Sequence, residues 1–176
     1  GAWAGEIGQT QMLPSDLLTK GVDGDGDGRV DVRRSVPDVI LTTGNKIRSR
    51  GWRPGEPWME EVRVPDRMPW EETGRANKLP VSQWAAWGVT RRDGSPLDAS
   101  RPDAGLALPM GHKGPAFLVY PNFDIYLEWN QSITYTLTAA HLATRFAGEP
   151  RFDPRNGPYV PITAAVFPMK RRALEK

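Results

Sequence analysis

Glycine and proline interrupt this chain at short intervals and limit the length of every helix and strand that it can form. Its 176 residues include 18 glycines and 17 prolines, about a fifth of the chain against a usual share of about 12 %. Seven tryptophans argue against a disordered chain, because aromatic residues are depleted in disordered segments. The sequence therefore predicts a folded, loop-rich domain built from short elements.

Charge and residue types exclude several classes of protein. Lys and Arg number 23 and Asp and Glu number 21, so positive and negative charges nearly balance. This balance argues against a dedicated nucleic-acid-binding protein, which usually carries a concentrated basic face. No apolar run reaches the roughly 18 residues that a membrane-spanning helix needs. Because cysteine is absent, disulfides, thiolate metal sites and a cysteine nucleophile are excluded. The two histidines have no zinc-site spacing, and no phosphate-binding loop ends in Gly-Lys-Ser or Gly-Lys-Thr.

Local patterns predict two helices in the first third of the chain. A short helix is expected through Leu17 and Leu18, and it should end near Gly21. Ser35 is predicted to cap a second helix that has Pro37 in its first turn. Helical spacing gives that second helix one apolar stripe, made of Val36, Val39, Ile40, Gly44 and Ile47.

The remainder of the chain alternates between β-rich and helical patterns. Between about residues 55 and 115, short apolar segments alternate with Pro, Gly and Asp, which predicts a small β-rich subdomain with one helical turn at 82–87. Residues 116–120 predict a buried strand or extended segment, and residues 133–146 predict a final helix. The proline-rich residues 151–176 are expected to form an extended C-terminal arm.

An acidic, glycine-rich loop is the strongest local motif. Residues 23–31 read Asp-Gly-Asp-Gly-Asp-Gly-Arg-Val-Asp, which matches the first nine positions of an EF-hand calcium loop. The candidate metal ligands are Asp23, Asp25, Asp27, Arg29 and Asp31. The twelfth position is Arg34, where the motif requires a bidentate glutamate. The alternative interpretation is a glycine-rich turn whose aspartates pair with Arg29, Arg33 or Arg34.

Five segments in order resemble one enzyme family. Residues 1–15, reading GAWAGEIGQTQMLPS, resemble the segment GSWAGxxGxxQFMPSS of the lytic murein transglycosylase B family. Residues 23–28 follow at the distance that the family shows, and residues 34–38 resemble the start of its next helix. Residues 120–124 and 129–132 resemble its LPNF and WNxS segments. The resemblance covers about the first 150 residues.

This resemblance implies an α+β fold. It predicts a lysozyme-like helical domain around a glycan cleft, into which a small β-rich subdomain is inserted. Residues 1–54 would form the second half of the helical core, residues 55–115 the β-rich subdomain, and residues 116–150 the return to the helical core. It also implies peptidoglycan glycan strands as the partner, no nucleic acid, and the bacterial periplasm or cell envelope as the location.

The resemblance further implies a reaction. Enzymes of the family cleave the bond between N-acetylmuramic acid and N-acetylglucosamine and leave 1,6-anhydromuramic acid. One glutamate suffices, unlike the two carboxylates of ordinary glycosidases, and no cofactor is required. The family's glutamate precedes the Trp-Ala-Gly segment, on a helix that this sequence does not contain. The catalytic acid is therefore expected outside this chain, in an N-terminal half or a partner chain.

Glu6 is the only acid in the matched cleft segment, and it is the catalytic candidate within this sequence. The family position that it matches does not carry the catalytic acid. The alternative is that Glu6 supports the cleft wall or pairs with an arginine.

The resemblance also implies candidate substrate-binding residues. Gln11 is predicted to hydrogen-bond a sugar or the catalytic carboxyl, because an amide both donates and accepts. Met12 and Pro14 would form cleft surface, while Tyr120 and Asn122 would face the glycan from the other side. The alternatives are core packing for Met12 and Tyr120, and a turn or helix-cap role for Asn122.

Two other functions remain open from the sequence. A non-catalytic peptidoglycan-binding or scaffold subunit would keep the same glycan-facing residues without turnover. A calcium-responsive interaction module would be built on residues 23–31 instead.

Overall fold

A computed structural model describes residues 3–152 of the chain, which form two compact units. The helices are α1 (Pro14–Lys20), α2 (Val36–Ser49), α3 (Val81–Ala86), α4 (Pro121–Trp129) and α5 (Ile133–Phe146), with a 3-10 turn at Trp70–Glu72. The strands are β1 (Met59–Arg63), β2 (Gly74–Leu79), β3 (Thr90–Arg91), β4 (Ala104–Ala107) and β5 (Ala116–Val119). The first unit comprises residues 3–58 and 121–139, and the second comprises residues 59–120 and 140–152. All but the first two residues of the predicted arm at 151–176 lie outside the described residues.

The two helices predicted in the first unit are confirmed. Pro14 occupies the start of α1, where its missing N–H has no intrahelical partner to lose. Gly21 follows the last residue of α1 and donates its backbone N–H to the Leu17 carbonyl. Ser35 caps α2, and its Oγ accepts a hydrogen bond from the Asp38 backbone N–H at 3.4 Å.

The apolar stripe of α2 is buried only in part. Val36 is 56 % exposed and Ile40 is 62 % exposed, so both face solvent within their unit. The buried face of the helix is made of Asp38, Val39, Thr42 and Lys46. Three of these four side chains are polar: Asp38 and Thr42 accept hydrogen bonds from backbone amides of the preceding loop, and Lys46 forms an ion pair with Asp16.

The second unit contains a five-stranded antiparallel sheet in the order β2-β4-β5-β1-β3. The central strand β5 pairs with β4 on one side and with β1 on the other, and Leu106 lies opposite Leu118. All four residues of β5 are buried, which fits the predicted buried strand. The β-rich unit therefore runs through Tyr120, and the predicted boundary at residue 115 cuts the sheet at its central strand.

The core of the second unit is apolar. Trp84 on α3 is fully buried, and its indole Nε1–H donates to the Ala104 carbonyl at 2.7 Å. Around it lies a buried cluster of Val62, Val81, Val89, Leu97, Ala104, Leu106, Ala116, Leu118 and Tyr120. The helical turn predicted at 82–87 is confirmed as α3, which brings Trp84 to this core.

Two helices follow the sheet. Helix α5 has the bounds that the sequence predicts, whereas α4 occupies a segment that had been recognised only by its family motif. Among residues 3–152, no helix combines the length and the apolar character that would let it cross a membrane.

Candidate functional site

A short, tightly folded segment leads into α1. Ile7 and Met12 form an antiparallel bridge, with N–H to O=C distances of 2.9 and 2.8 Å. Gly8 has φ +76°, and a Cβ there would lie 2.4 Å from the Val32 carbonyl oxygen. Only glycine fits this position, because both the positive φ and the close backbone approach exclude a side chain. The bridge and the glycine together fix the turn that contains residues 8–11.

Gln11 lies in this turn with an exposed carboxamide. Its backbone has φ +50°, the only positive φ among the described non-glycine residues. Such a conformation is uncommon outside glycine and often marks functional sites. The side-chain Nε2–H donates to the Gly8 carbonyl at 3.1 Å, which holds the amide at the tip of the turn. A hydrogen-bonding group is thus presented to solvent in a defined place.

The other predicted residues of this segment divide by burial. Glu6 is half-buried, and Pro14 is exposed at the start of α1. Met12 is fully buried. The structure therefore favours the packing alternative for Met12, whose side chain anchors the turn instead of forming its surface.

Tyr120 is a buried residue of the second unit. Its hydroxyl donates to Glu60 Oε2 at 3.0 Å, and Glu60 Oε1 also pairs with Arg91 Nε at 3.3 Å. Burial, together with the nearby Glu60 carboxylate, raises the pKa of Tyr120 above its usual range. The packing alternative accounts for this residue, because its ring belongs to the core cluster.

Asn122 is fully buried in the first unit. Its Oδ1 accepts from the Arg53 backbone N–H at 2.9 Å, and its Nδ2 donates to the carbonyls of Arg53 and Glu56 at 2.9 and 3.0 Å. These bonds fix a loop about 70 residues earlier in the chain. Asn122 is therefore neither a simple turn residue nor a helix cap, and in this structure it does not reach the surface.

An aromatic cluster adjoins this loop and was not predicted. Tyr126 lies between Trp52 and Trp58, with ring centroids 5.2 and 5.3 Å away. All three rings are half-buried, and burial raises the pKa of Tyr126. A partly exposed indole offers the flat apolar face on which a pyranose ring stacks. The only sequence signal was the high tryptophan count, which does not say which tryptophans meet.

The acidic loop brings together three of its predicted ligands. Carboxylate oxygens of Asp23, Asp25 and Asp27 all lie within 4.8 Å of one another at the surface. Such a group of exposed oxygens is what Ca²⁺ prefers. Asp31 is not part of the group, because its Oδ1 accepts from the backbone N–H of Arg33 and of Arg34 at 2.9 and 3.1 Å.

Arg29 enters the acidic loop through its backbone. Its N–H donates to Asp27 Oδ1 at 2.8 Å, as loop amides also do to Asp23. In the described part of the chain, no ion pair joins the loop aspartates to the neighbouring arginines. The alternative of an arginine-paired turn is therefore not the arrangement found.

Asp38 holds the backbone of the acidic loop, and it lies outside the calcium-loop motif. It is buried, and its two oxygens accept from the backbone N–H of Gly24 at 2.8 Å and of Asp31 at 2.6 Å. These backbone donors lower the pKa of Asp38. In the sequence it reads only as an acid in the first turn of a helix.

A buried charge cluster joins the two helices that flank the acidic loop. Asp16 on α1 pairs with Lys46 on α2, with 2.8 Å between Oδ2 and Nζ, and also with Lys20 on its own helix. Hydrogen bonds from the two lysines lower the pKa of Asp16 to about 2. The start of α1, where Pro14 is exposed, is thereby tied to α2.

Comparisons with known proteins give consistent results. The sequence profile described as Transglycosylase SLT domain matches residues 1–144. Membrane-bound lytic murein transglycosylase B of Escherichia coli (strain K12) is 29 % identical over 147 residues, which cover 84 % of this chain and 39 % of that protein. SltB3 from Pseudomonas aeruginosa, solved in complex with NAG-anhNAM-pentapeptide, is 38 % identical with a TM-score of 0.82, over 90 % of this chain and 43 % of that one. Lytic transglycosylase SLT35 of Escherichia coli, solved in complex with calcium, is 28 % identical with a TM-score of 0.66, over 84 % of this chain and 46 % of that one. The chain thus spans less than half the length of each of these relatives.

Proposed function

Because its residues 1–144 match the SLT domain profile, the chain belongs to the SLT transglycosylase family, and we propose that it forms part of a peptidoglycan lytic transglycosylase. Two relatives carry that activity in their names, and SltB3 was solved with a peptidoglycan fragment. The mixed helices and antiparallel sheet agree with the fold that the family resemblance implies. We place the protein in the bacterial cell envelope, where murein is found.

The proposed reaction uses one carboxyl group. The acid gives its proton to the glycosidic oxygen, and the bond from that oxygen to C1 of N-acetylmuramic acid breaks. The resulting carboxylate takes the proton of the muramyl 6-hydroxyl while O6 bonds to C1. The 1,6-anhydro ring closes, and the acid regains its proton. No water enters the products, which distinguishes this reaction from glycoside hydrolysis.

The observation that carries the proposal is the rigid turn at residues 8–11. It holds the exposed Gln11 amide in a left-handed backbone conformation, within the segment that resembles the family's cleft. We assign Gln11 and Pro14 to glycan contact, because both are exposed. Met12, Tyr120 and Asn122 remain predicted to contribute to the site, and their burial supports a contribution through packing.

We place the catalytic acid outside these 176 residues and keep Glu6 as the competing candidate. Glu6 is half-buried beside the bridge that fixes the turn, so it lies close in sequence to the proposed glycan contact. This chain leaves more than half of each relative's length unmatched. We propose that the acid lies in that unmatched part.

Digestion of purified sacculi with this chain, read by mass spectrometry for 1,6-anhydromuropeptides, tests the reaction. Product that disappears in Glu6→Gln would make Glu6 the acid. Product that survives in Glu6→Gln would indicate another acid within the chain. Sacculus binding without product would favour an acid outside the chain or a non-catalytic binding subunit. A chain that neither binds nor digests sacculi would contradict the proposal.

The role of Gln11 is tested by binding. Gln11→Ala is expected to weaken sacculus binding about fivefold, since a lost hydrogen bond contributes roughly 1 kcal/mol. Gln9→Ala is the matched control, because Gln9 is also exposed and lies two residues away. Equal binding by the two variants would remove Gln11 from the site.

Weak calcium binding at the acidic loop is a second candidate function. It is supported by the three converging carboxylates of Asp23, Asp25 and Asp27, and by the relative solved with calcium. Arg34 at the twelfth position supplies no carboxylate, so we expect low affinity.

The calcium proposal predicts a rise in Tm with millimolar Ca²⁺, since a ligand that binds the folded state stabilises it. Asp27→Asn should reduce this rise, because it removes one negative charge from the ligand group. It should leave the loop intact, because an amide oxygen can still accept from the Arg29 N–H. A wild-type Tm that is the same with Ca²⁺ and with a chelator would contradict it.

A further inference from the structure

The second unit contains a polar pocket that the proposed reaction does not use. The pocket has a volume of about 430 Å³ and is lined by Val64, Pro65, Asp66, His112 and Lys113. Two loops supply these residues, one after β1 and the other between β4 and β5. The volume lies within the range of small-ligand sites in proteins, about 300–1,000 Å³.

The walls of this pocket are fixed by the backbone. The Gly111 N–H donates to the Leu108 carbonyl and the Gly114 N–H to the Gly111 carbonyl, both at 3.0 Å. A Cβ on Gly114 would lie 2.7 Å from the Met110 Cβ, so the turn closes only around glycine. On the opposite wall, Val64 packs against the apolar core of the unit. The lining side chains therefore extend from a stable frame.

The lining combines two opposite charges with the imidazole ring of His112. Asp66 and Lys113 are both exposed, so both can reach a ligand in the pocket. The His112 ring lies against Trp70, with centroids 5.2 Å apart at an angle of 43°. Val64 and Pro65 add a small apolar surface. A neutral sugar needs no such pair of charges, whereas an amino-acid-like group carries an ammonium, a carboxylate and methylene or methyl groups together.

We propose that this pocket binds the peptide stem of peptidoglycan. Lys113 pairs with a stem carboxylate, Asp66 pairs with a stem ammonium group, and the apolar wall contacts the aliphatic part between them. The inference rests on the proposed function and deepens it, because it makes the preferred substrate a glycan strand that still carries its peptides. The His112 ring, which contacts Trp70, forms the side of the pocket against which the peptide backbone lies.

Calorimetric titration of the chain with two defined fragments tests the pocket. The probes are NAG-NAM-pentapeptide and the same disaccharide without peptide. The pentapeptide fragment is expected to bind more tightly. Lys113→Gln and Asp66→Asn should each weaken its binding about fivefold, the effect of losing one solvent-exposed ion pair, and should leave disaccharide binding unchanged.

Arg63→Gln is the matched control, since it removes one positive charge from an exposed position of β1 outside the pocket. Equal affinity of the wild-type chain for the two fragments would overturn the proposal. So would pocket variants that bind the pentapeptide fragment as tightly as the Arg63 variant does, or a wild-type chain that binds neither fragment.

Sacculus digestion separates this proposal from the proposed function. If the chain digests sacculi but binds the two fragments equally in the titration, the pocket proposal is wrong and the proposed reaction stands. If the chain does not digest sacculi but prefers the pentapeptide fragment, and Lys113→Gln loses that preference, the pocket proposal stands and this chain alone does not catalyse the reaction.

Discussion

Asp16 is only 7 % exposed, and two lysines surround its carboxylate. Lys46 is equally buried, so removing the carboxylate would leave an ammonium group without a counter-charge inside the first unit. Breaking a buried pair from one side is costly, because the remaining charge has lost both its partner and its water. The pair therefore ties α1 to α2 even where the net stabilisation by the intact pair is small.

Asp16→Asn is expected to lower the free energy of unfolding by about 3 kcal/mol at pH 7. Urea denaturation measures this, with Glu128→Gln as the control, since Glu128 is exposed and its pair with Arg50 should contribute below about 1 kcal/mol. The folded-state pKa of Asp16 is lowered from 3.8 to about 2. Its stabilisation is therefore complete above about pH 4 and is lost as the pH falls towards 2. A variant whose stability deficit is the same at pH 7 and at pH 2 would contradict this account.

Asn122→Asp tests the Nδ2 amide group of Asn122 as a hydrogen-bond donor. The carboxylate could still accept from the Arg53 N–H, but it could not donate to the carbonyls of Arg53 and Glu56. We expect a loss of about 3 kcal/mol of stability by urea denaturation, because two carbonyls lose their donor and a carboxylate replaces an amide at a fully buried position. Asn130→Asp is the control, since Asn130 Oδ1 accepts from the Ser132 N–H at 3.0 Å and a carboxylate can do the same. Equal losses in the two variants would show that the donor role of Asn122 does not matter.

At the scale of elements, α2 shows that the apolar face of a helix need not be its buried face. Its bounds follow from the Ser35 cap and from Pro37, which are local signals. Its orientation follows from hydrogen bonds to the preceding loop, such as the Val22 N–H to Thr42 Oγ1 at 2.9 Å. Periodicity assumes that the buried face is apolar, and that assumption fails where a helix must supply acceptors to loop amides.

Asp38→Asn should loosen the acidic loop without unfolding α2. The amide keeps one acceptor oxygen in place of two, so it cannot serve both the Gly24 and the Asp31 N–H. Amide hydrogen exchange at Gly24 and Asp31 is expected to accelerate at least about tenfold, while exchange in the middle of α2 stays slow. Because backbone donors lower the pKa of Asp38, wild-type protection should also fall once the pH drops below about 4. Unchanged exchange in the variant would mean that the loop holds its shape through its own aspartates.

At the scale of the whole molecule, the sequence predicts features that depend on neighbouring residues, but it does not predict contacts between residues far apart in the chain. Helix caps, stop signals and the buried strand β5 are encoded within a few residues, and so is the acidic loop. The partners of Asn122 and Tyr120 lie about 60 to 70 residues away along the chain, and no local pattern indicates them. The same limit explains the boundary error at residue 115, because only the pairing of β5 with β1 and β4 shows that the sheet continues.

The two units differ in what holds them together, and acid should reveal the difference. In the first unit, two buried carboxylates with lowered pKa, Asp16 and Asp38, link separate elements. The second unit has an apolar core around Trp84, and its carboxylates with lowered pKa, Asp93 and Asp98, accept hydrogen bonds from serines two residues away. Protonation of a carboxylate whose pKa is lowered on folding removes stabilisation, while apolar burial does not titrate. Hydrogen exchange measured by mass spectrometry at pH 2.5 and at pH 7, with rates corrected for the intrinsic effect of pH, should show protection lost first in α1 and α2. Strands β1, β4 and β5 should remain protected. Parallel loss in both sets of elements would mean that the stability of the sheet depends on the same buried carboxylates.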